Sequence, residues 1–421
     1  MVIFNFFIFT FASLKNIKIM LVEFKFKNFL SYKEETSLLM TKVKSFKELE
    51  NTNVIKNNHF DLLKTTAIYG TNGGGKSNLI KAMGFMKSIV HNSFAESLKK
   101  EEDRGKKDYY FKLNNDSENE PSLFEVSFIK NDILYRYGFE IKGYEIISEW
   151  LTNKKETETV LFERKLKDFK INNSSFSEGN KHKKDVNSNV LFLSFLAQNN
   201  AKISSEIFDW FENLNSVSGL VNIHYKNVTK ELLKTDKKFK HWLSVAVKFL
   251  NITNVDTTND NKIITYHNKF DKNDIIIDSV PFDFELNESE GTKKLIYLLG
   301  AIYDSLNNSK ILFIDELDSK LHPNLTKKLL EFFHKFNFNK SQFIFTAHDS
   351  VLLDKEIFRR DQIWFVDRNK FGISELYSMS DFDASVVRNT SDFRKKYLEM
   401  TFGAANSIDI TNQLIELMYA K

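Results

Sequence analysis

Eight residues, 70–77, have the types and spacing needed to bind a phosphate chain. They read Gly-Thr-Asn-Gly-Gly-Gly-Lys-Ser, which fits the pattern G-x-x-x-x-G-K-S. Consecutive glycines let the backbone turn its N–H groups inward around phosphates. Lys76 can reach the β- and γ-phosphates, and the Ser77 hydroxyl can bind Mg²⁺. We call residues 70–77 the phosphate loop.

The flanks of the phosphate loop argue against a chance match in a glycine-rich turn. Residues 65–69 predict a short buried strand before the loop. A helix is predicted from about Ser77, because five apolar residues recur at helical spacing on one face. These residues are Leu79, Ile80, Met83, Met86 and Val90.

A second segment ends in two acids. The apolar run 311–314 is short enough for a strand buried on both faces of a parallel sheet, and Asp315 and Glu316 follow it. Asp315 could hold Mg²⁺ in its outer shell opposite Ser77. Glu316 could polarise an attacking water. The ordinary alternative, a solvated acidic turn, fits less well once a phosphate loop lies upstream.

His348 ends the next predicted strand, in the segment 342–349. A helix predicted at roughly 324–336 gives the crossover that two parallel strands need. At that strand end a histidine can contact the γ-phosphate and report hydrolysis. The alternative is an ordinary residue at the end of a strand.

A third segment, 287–294, reads Asn-Glu-Ser-Glu-Gly-Thr-Lys-Lys and opens a predicted helix. Ser289 is a plausible N-cap. A helix N-terminus beside a serine and a glycine can bind an anion. Simple helix capping is the alternative for this segment taken alone.

In this order, the motifs resemble those of the ABC-type AAA ATPases of bacterial defence systems, the RloA-like and abortive-infection ATPases. The RecF, SMC and OLD ATPases are wider relatives. The resemblance runs from about Met20 to the C-terminus and includes Asp-Ser-Lys-Leu-His-Pro at 318–323. It implies an α/β P-loop NTPase fold of the ABC-ATPase type. The expected architecture is a mixed sheet with flanking helices, an antiparallel β-subdomain and a helical insertion.

The resemblance also implies roles for individual residues. The catalytic set would be Lys76, Glu316 as the base and His348 as the switch histidine. The nucleotide-binding set would be Gly70, Asn72, Gly73, Gly75, Lys76, Ser77, Asn78, Gln198, Ser289, Gly291, Thr292 and Asp318. The metal set would be Ser77, Asp315 and Gln198. Gln198 would represent the glutamine loop, although an ordinary polar residue at a strand end explains it equally well.

The predicted cofactors are therefore ATP and Mg²⁺, and the predicted partner is a second copy of the chain. In such ATPases the Leu-Ser-Gly-Gly-Gln signature reaches across a dimer to the γ-phosphate of the partner, so a homodimer or higher homo-oligomer is expected. This chain has Glu288 in place of the leucine and Glu290 in place of the first glycine. The charge of Glu290 would repel phosphate unless it points away or pairs with a lysine such as Lys293.

Three function classes share this machinery. We expect a defence sensor or motor that acts with a separate effector, a nuclease or toxin encoded nearby. The alternative is a RecF- or SMC-like DNA repair or recombination ATPase, and gene neighbourhood would separate the two. The unusual signature, the insertions and the C-terminal tail disfavour a transporter subunit. The sequence lacks a recognisable Toprim acid cluster, a His-Cys zinc pattern and a supported Ser-His-Asp set, so nuclease activity of this chain alone is not expected.

Composition agrees with a cytoplasmic protein that has no membrane partner. The 421 residues are 42% hydrophobic and contain no cysteine. The net charge of +4 comes from 60 basic and 56 acidic residues. This near-balance of charge does not by itself signal a nucleic-acid partner, and the sequence leaves nucleic acid open as a partner.

The predicted domains are an N-terminal extension (1–19), a first ATPase lobe with the phosphate loop and the β-subdomain (20–198), a helical insertion (199–273) and a second lobe (274–421). We interpret 1–19 as a mis-assigned start or an accessory tail rather than a membrane anchor, because its apolar run is too short to span a bilayer. Two tail segments, 358–366 and 397–404, also resemble the family. Arg359 and Arg360 in the first of them are expected to be solvated.

Overall fold

The computed structural model describes residues 19–100, 108–218, 223–404 and 418. The predicted extension 1–19 lies outside these residues apart from Ile19, which opens the first strand. In the described part, no helix is long and apolar enough to cross a membrane.

The described residues form eighteen strands and ten α-helices. The strands are β1 (Ile19–Lys27), β2 (Thr36–Leu39), β3 (Val54–Ile55), β4 (Leu62–Leu63), β5 (Thr65–Gly70), β6 (Ser122–Lys130), β7 (Ile133–Lys142), β8 (Glu145–Lys154), β9 (Glu158–Lys165), β10 (Asp168–Ile171), β11 (Leu214–Ser218), β12 (Ile252–Thr257), β13 (Ile263–Phe270), β14 (Ile276–Asp283), β15 (Ile311–Asp315), β16 (Gln342–Thr346), β17 (Ile363–Arg368) and β18 (Ser374–Ser378). The helices are α1 (Glu50–Asn53), α2 (Lys76–Ser97), α3 (Phe192–Gln198), α4 (Lys202–Glu212), α5 (Ile223–Thr235), α6 (Lys237–Ala246), α7 (Phe284–Asn287), α8 (Glu290–Asn308), α9 (Pro323–Phe336) and α10 (Phe393–Leu398).

A central six-stranded sheet carries the predicted site. Its order is β11-β15-β16-β5-β17-β18, and all neighbours pair in parallel except β17 and β18. The predicted strands before the phosphate loop, before the acid pair and before His348 are therefore confirmed as β5, β15 and β16. Because the carboxyl ends of parallel strands meet at one edge of the sheet, the three motifs share that edge.

Two hydrophobic cores cover the two faces of the central sheet. Alternate residues of β15 enter different cores, with Ile311 and Phe313 on one face and Leu312 and Ile314 on the other. Helix α2 packs in the first core, and its five predicted apolar residues are all buried there. Helices α8 and α9 pack in the second core. This double burial explains the continuous apolar runs of the strands.

A second sheet of seven antiparallel strands, in the order β10-β9-β8-β7-β6-β1-β2, shares the first core with α2. It includes the hairpin β6–β7. The two turn residues, Asn131 and Asp132, have φ values of 52° and 60°. Both values lie in the left-handed region that a two-residue type I′ turn requires. The predicted mixed α/β fold class, with an antiparallel subdomain, therefore agrees with the structure.

The segment 199–273 differs from the helical insertion that the sequence predicts. It contains α4, α5 and α6, but it also supplies β11 to the central sheet and β12 and β13 to a separate three-stranded sheet. The boundary predicted at 273/274 falls in the turn between β13 and β14, which pair with each other. The sequence of β11, Leu-Asn-Ser-Val-Ser, has no apolar run because this strand lies at the sheet edge.

Arg359 and Arg360 are not solvated, so that expectation was wrong. The Arg359 side chain is fully buried and donates to both carboxylate oxygens of Asp361, at 2.8 and 2.7 Å. It also donates to the backbone carbonyls of Phe46 and Glu48. The guanidinium of Arg360 lies 3.7 Å from the centre of the Phe46 ring. Both arginines therefore hold the segment around residue 47 against the start of β17.

We predict that Arg359→Met lowers the free energy of unfolding by about 3–5 kcal/mol, because Asp361 is left buried without its ionic partner. Burial already raises the pKa of Asp361, and Arg359 opposes that rise. Urea unfolding of Arg359→Met and of Lys395→Met would test this. Lys395 forms an exposed pair with Glu399, whose loss should cost less than about 1 kcal/mol. An equal cost for the two variants would contradict the prediction.

Candidate nucleotide-binding site

The phosphate loop joins the end of β5 to the start of α2 in the centre of the sheet. Gly70, at the strand end, has a φ of 155° and packs closely against β17. A Cβ atom at this position would lie 2.0 Å from the carbonyl oxygen of Val366. Only glycine fits this approach, so the tight turn of the loop depends on Gly70.

Lys76 is the buried charge of the phosphate loop, with 5% of its surface exposed. Its ammonium donates to the carbonyls of Gly70 at 2.8 Å and Thr71 at 3.0 Å. Burial lowers the pKa of Lys76, whereas the charges of Asp315, Asp318 and Glu316 raise it. The lysine is therefore electrostatically coupled to the carboxylates that follow β15.

The phosphate loop is supported from outside by residues that no sequence motif indicates. The Ser374 hydroxyl, in β18, lies 2.5 Å from the Gly74 carbonyl oxygen and 2.7 Å from the Ser31 hydroxyl. Tyr32 donates to the carbonyl of the last glycine of the loop at 3.2 Å. Asn78, predicted to bind nucleotide, uses its side-chain amide to donate to Ser31 at 2.8 Å. No local pattern could reveal this support, because it joins distant parts of the chain.

Thr346, the last residue of β16, contacts Asp315 and Glu316 at the end of the neighbouring strand β15. Its hydroxyl accepts a hydrogen bond from the backbone N–H of Glu316 at 2.7 Å and donates to Oδ1 of Asp315 at 2.7 Å. Glu316 has a φ of 54°, which is unusual for a residue with a side chain. The sequence motifs give no role to Thr346, although it lies two residues before His348.

His348 lies beside the acid pair, as the sequence predicts. Its Nε2 atom is 3.9 Å from Oε1 of Glu316, and 42% of its side-chain surface is exposed. Asp318 fixes the backbone at this point, since its Oδ2 atom accepts from the N–H groups of His348 at 2.8 Å and Asp349 at 2.5 Å. The structure therefore brings Glu316, His348 and Asp318 together at the edge that holds the phosphate loop.

The start of α8 is an exposed surface. Ser289 is the predicted N-cap, and its hydroxyl accepts from the backbone N–H of Thr292 at 3.1 Å. Glu290 points to two lysines, with distances of 3.1 Å to Lys293 and 3.2 Å to Lys320. The lysine pairing considered for Glu290 is thus present.

Glu288, which stands where a leucine is usual, turns away from that surface. Its side chain is 8% exposed, and its Oε1 atom lies 2.7 Å from Nε2 of His267 and 2.5 Å from the Thr265 hydroxyl. Both partners belong to β13. The glutamate therefore ties the approach to α8 to the three-stranded sheet and leaves the helix start free of its charge.

The structure does not bring Gln198 to the site. The apolar run before it forms helix α3 rather than a strand, and Gln198 is exposed at the end of that helix. Helix α3 packs near the far end of α2, where Ser194 donates to the Val90 carbonyl at 2.6 Å. Val90 lies roughly 20 Å along α2 from Lys76. On the β11 side of β15, Asp315 pairs with Ser218, the last residue of β11.

Comparison with known proteins identifies one family. A family profile described as "AAA domain, putative AbiEii toxin, Type IV TA system" matches residues 65–354. The matched span begins with β5 and extends past His348, so it contains the phosphate loop, the acid pair and the histidine. No curated protein matches the chain.

Two solved structures are similar at low sequence identity. The SMC head domain from Thermotoga maritima is 14% identical with a TM-score of 0.42, and the match covers 85% of this chain and 98% of that chain. A structure described as the SmcHead bound to the C-winged helix domain of ScpA is 14% identical with a TM-score of 0.38, covering 85% of this chain and 97% of that chain.

Proposed function

The chain belongs to the AAA domain family described as putative AbiEii toxin of type IV toxin–antitoxin systems, and we propose that it hydrolyses ATP with Mg²⁺ between two copies of itself. One observation carries this proposal. The lysine-bearing phosphate loop and Glu316 share one sheet edge, and the Glu316 carboxylate lies 3.9 Å from His348. A phosphate binder and a candidate base with a neighbouring histidine are the parts that phosphoryl transfer to water requires.

The phosphate loop fits a nucleotide in its chemistry. The ammonium of Lys76 is buried, and its hydrogen-bond partners are loop carbonyls rather than a carboxylate. The Lys76 ammonium can therefore pair with the negatively charged oxygens of the β- and γ-phosphates. We assign the backbone N–H groups of the loop, including those of Asn72, Gly73 and Gly75, to the same phosphates. Asn78 contributes by holding Ser31 against the loop.

Ser77 and Asp315 are the residues that would hold Mg²⁺. Thr346 donates to Oδ1 of Asp315 and so fixes the orientation of the carboxylate that would face the metal or one of its waters. When bound, the metal would neutralise charge that develops on the transferred phosphoryl group. Hydroxyl and carboxylate oxygens are the ligands that this ion prefers.

Glu316 and His348 would act on the water and on the γ-phosphate. We assign the carboxylate of Glu316 as the general base that takes a proton from the attacking water. His348 Nε2 would donate a hydrogen bond to the γ-phosphate, since it lies next to Glu316 and is partly exposed. Asp318 would keep His348 in position by accepting a hydrogen bond from the backbone N–H of His348.

A second copy of the chain would complete the site from the opposite side. Ser289 and Glu290 are exposed and Gly291 is partly exposed, so the start of α8 can meet another molecule. The start of a 19-residue helix offers backbone N–H donors to a phosphate. The charge of Glu290, the main obstacle, is balanced by Lys293 and Lys320, which also lower its pKa. We therefore assign Ser289, Gly291 and Thr292 to the γ-phosphate of the partner.

The biological role that we propose is that of a sensor or motor in a defence system, with a separate nuclease or toxin as the effector. The toxin–antitoxin description of the family supports this role more directly than a DNA-repair role. The sequence resemblance to abortive-infection ATPases points in the same direction.

We predict that Glu316→Gln retains ATP binding but loses at least about 100-fold in phosphate release, because the amide keeps the shape of the side chain without its basicity. Lys76→Ala should weaken both binding and turnover, because it removes the buried ammonium from the phosphate loop. Fluorescent-nucleotide binding and phosphate release would be measured for each variant. Hydrolysis by Glu316→Gln at the wild-type rate would show that the base has been misassigned.

We further predict that two inactive variants restore activity when they are mixed. Lys76→Ala destroys the phosphate loop of one copy, and Ser289→Arg blocks the helix start of the other. In a mixed dimer one composite site keeps an intact loop and an intact helix start, so phosphate release should reappear. Each variant alone is the control. If mixing gives no more activity than the sum of the two variants, the helix start acts only as a cap.

A further inference from the structure

Residues 316–320, which follow β15, form a short segment that docks on the first turn of α8. We call it the acid loop. Lys294 makes the central contact, since its ammonium donates to the carbonyl of Glu316 at 2.7 Å and to the hydroxyl of Ser319 at 2.6 Å. Lys294 is 5% exposed, so these hydrogen bonds are shielded from water. The acid loop therefore has a buried connection to the helix.

The far end of the acid loop also touches the first turn of α8. A Cβ atom on Gly291 would lie 2.8 Å from the carbonyl oxygen of Lys320, so a glycine is needed for this close approach. The side chain of Lys320 reaches Glu290 at 3.2 Å. The exposed residues of the helix start are thus in contact with the segment that begins with Glu316.

The backbone of Glu316 requires support from its surroundings. Its φ of 54° and the φ of 59° at Lys320 lie in the left-handed region, which is unfavourable for residues that carry a Cβ atom. Thr346 holds the N–H of Glu316, and Lys294 holds its carbonyl. The two peptide groups of this residue are therefore fixed from two elements, the end of β16 and the start of α8.

We propose that Lys294 is a positioning residue that couples the first turn of α8 to the alignment of Glu316. This inference rests on the function proposed above, in which Glu316 is the base and the α8 start meets the second copy. When a partner molecule holds the start of α8 in place, the hydrogen bonds of Lys294 hold the Glu316 carbonyl, and with it the Glu316 carboxylate, in the aligned position. When the turn is displaced, the same connection moves the base out of line with the water. Hydrolysis would then respond to pairing of the two copies, rather than to ATP binding alone.

The proposal separates turnover from binding. Both hydrogen bonds of Lys294 go to the acid loop and neither goes to the phosphate loop. Loss of Lys294 should therefore impair the chemical step and leave ATP affinity unchanged. A lysine with a purely structural role would instead affect stability, and any loss of activity would follow the loss of folded protein.

Lys64 provides a matched control. It is a half-buried lysine whose ammonium also donates to a backbone carbonyl, that of His334, at 2.8 Å. Burial lowers the pKa of Lys64 and of Lys294 to about 8 in each case. Lys64 precedes β5 at the end opposite the phosphate loop. Replacement of either lysine by methionine removes a positive charge whose pKa burial lowers, but of the two only Lys294 contacts the acid loop.

The test compares wild type, Lys294→Met, Lys294→Arg and Lys64→Met by kcat, KM, ATP Kd and thermal midpoint. We expect Lys294→Met to lose about 10-fold or more in kcat, with Kd and KM unchanged, because only part of the effect of a general base is lost when it is misaligned. Lys294→Arg, which keeps the charge and the donors, should recover most of the turnover. Lys64→Met should keep the wild-type kcat even if its thermal midpoint falls.

Three outcomes would overturn the inference. The first is a wild-type kcat for Lys294→Met. The second is an equal loss of kcat in Lys64→Met, and the third is a loss in Lys294→Met that Lys294→Arg does not relieve although it folds. Failure of the proposed function has a different signature, because the wild-type protein itself would then release no phosphate. In that case the role of Lys294 falls together with the assignment of Glu316.

Discussion

Parallel pairing of β16 with β5 on one side and β15 on the other is the constraint on which the site depends. It brings the phosphate loop, the acid pair and His348 to one edge of the sheet, although they come from distant parts of the chain. The Thr346 hydroxyl adds to this pairing because it bonds the end of β16 to Asp315 and Glu316 at the end of β15. Burial of the strands on both faces keeps their register fixed. Small errors in strand pairing would therefore separate Lys76 from Glu316.

Two buried lysines on different elements partly offset the negative charge of the site. Lys76 begins α2, and Lys294 is the fifth residue of α8. Burial lowers the pKa of each, while the carboxylates Asp315, Glu316 and Asp318 oppose that change. Each lysine lies on a different side of the central sheet, since α2 and α8 belong to different cores. The carboxylates are thus held between the element that binds phosphate and the element that would meet a partner.

The sequence predicted those parts of the site whose signals are local. The run 311–314 and the cap at Ser289 were recognised because burial on two faces and helix capping each leave a short, regular pattern. Gln198 was misplaced because an apolar run of a few residues does not distinguish a strand from a helix. The buried Arg359 and the loop support from Ser374 could not be predicted, since their partners lie far away in the chain and become neighbours only when the sheet forms.

The central claim is that ATP is hydrolysed in a site shared by two copies of the chain. The most direct measurement is phosphate release per chain over a range of protein concentrations, with Mg²⁺ and with a chelator in its place. The account predicts that the rate per chain rises with concentration to a plateau, as the dimer forms, and that the chelator abolishes it. A rate per chain that is independent of concentration in a protein that remains monomeric, or an absence of phosphate release at any concentration, would contradict the account.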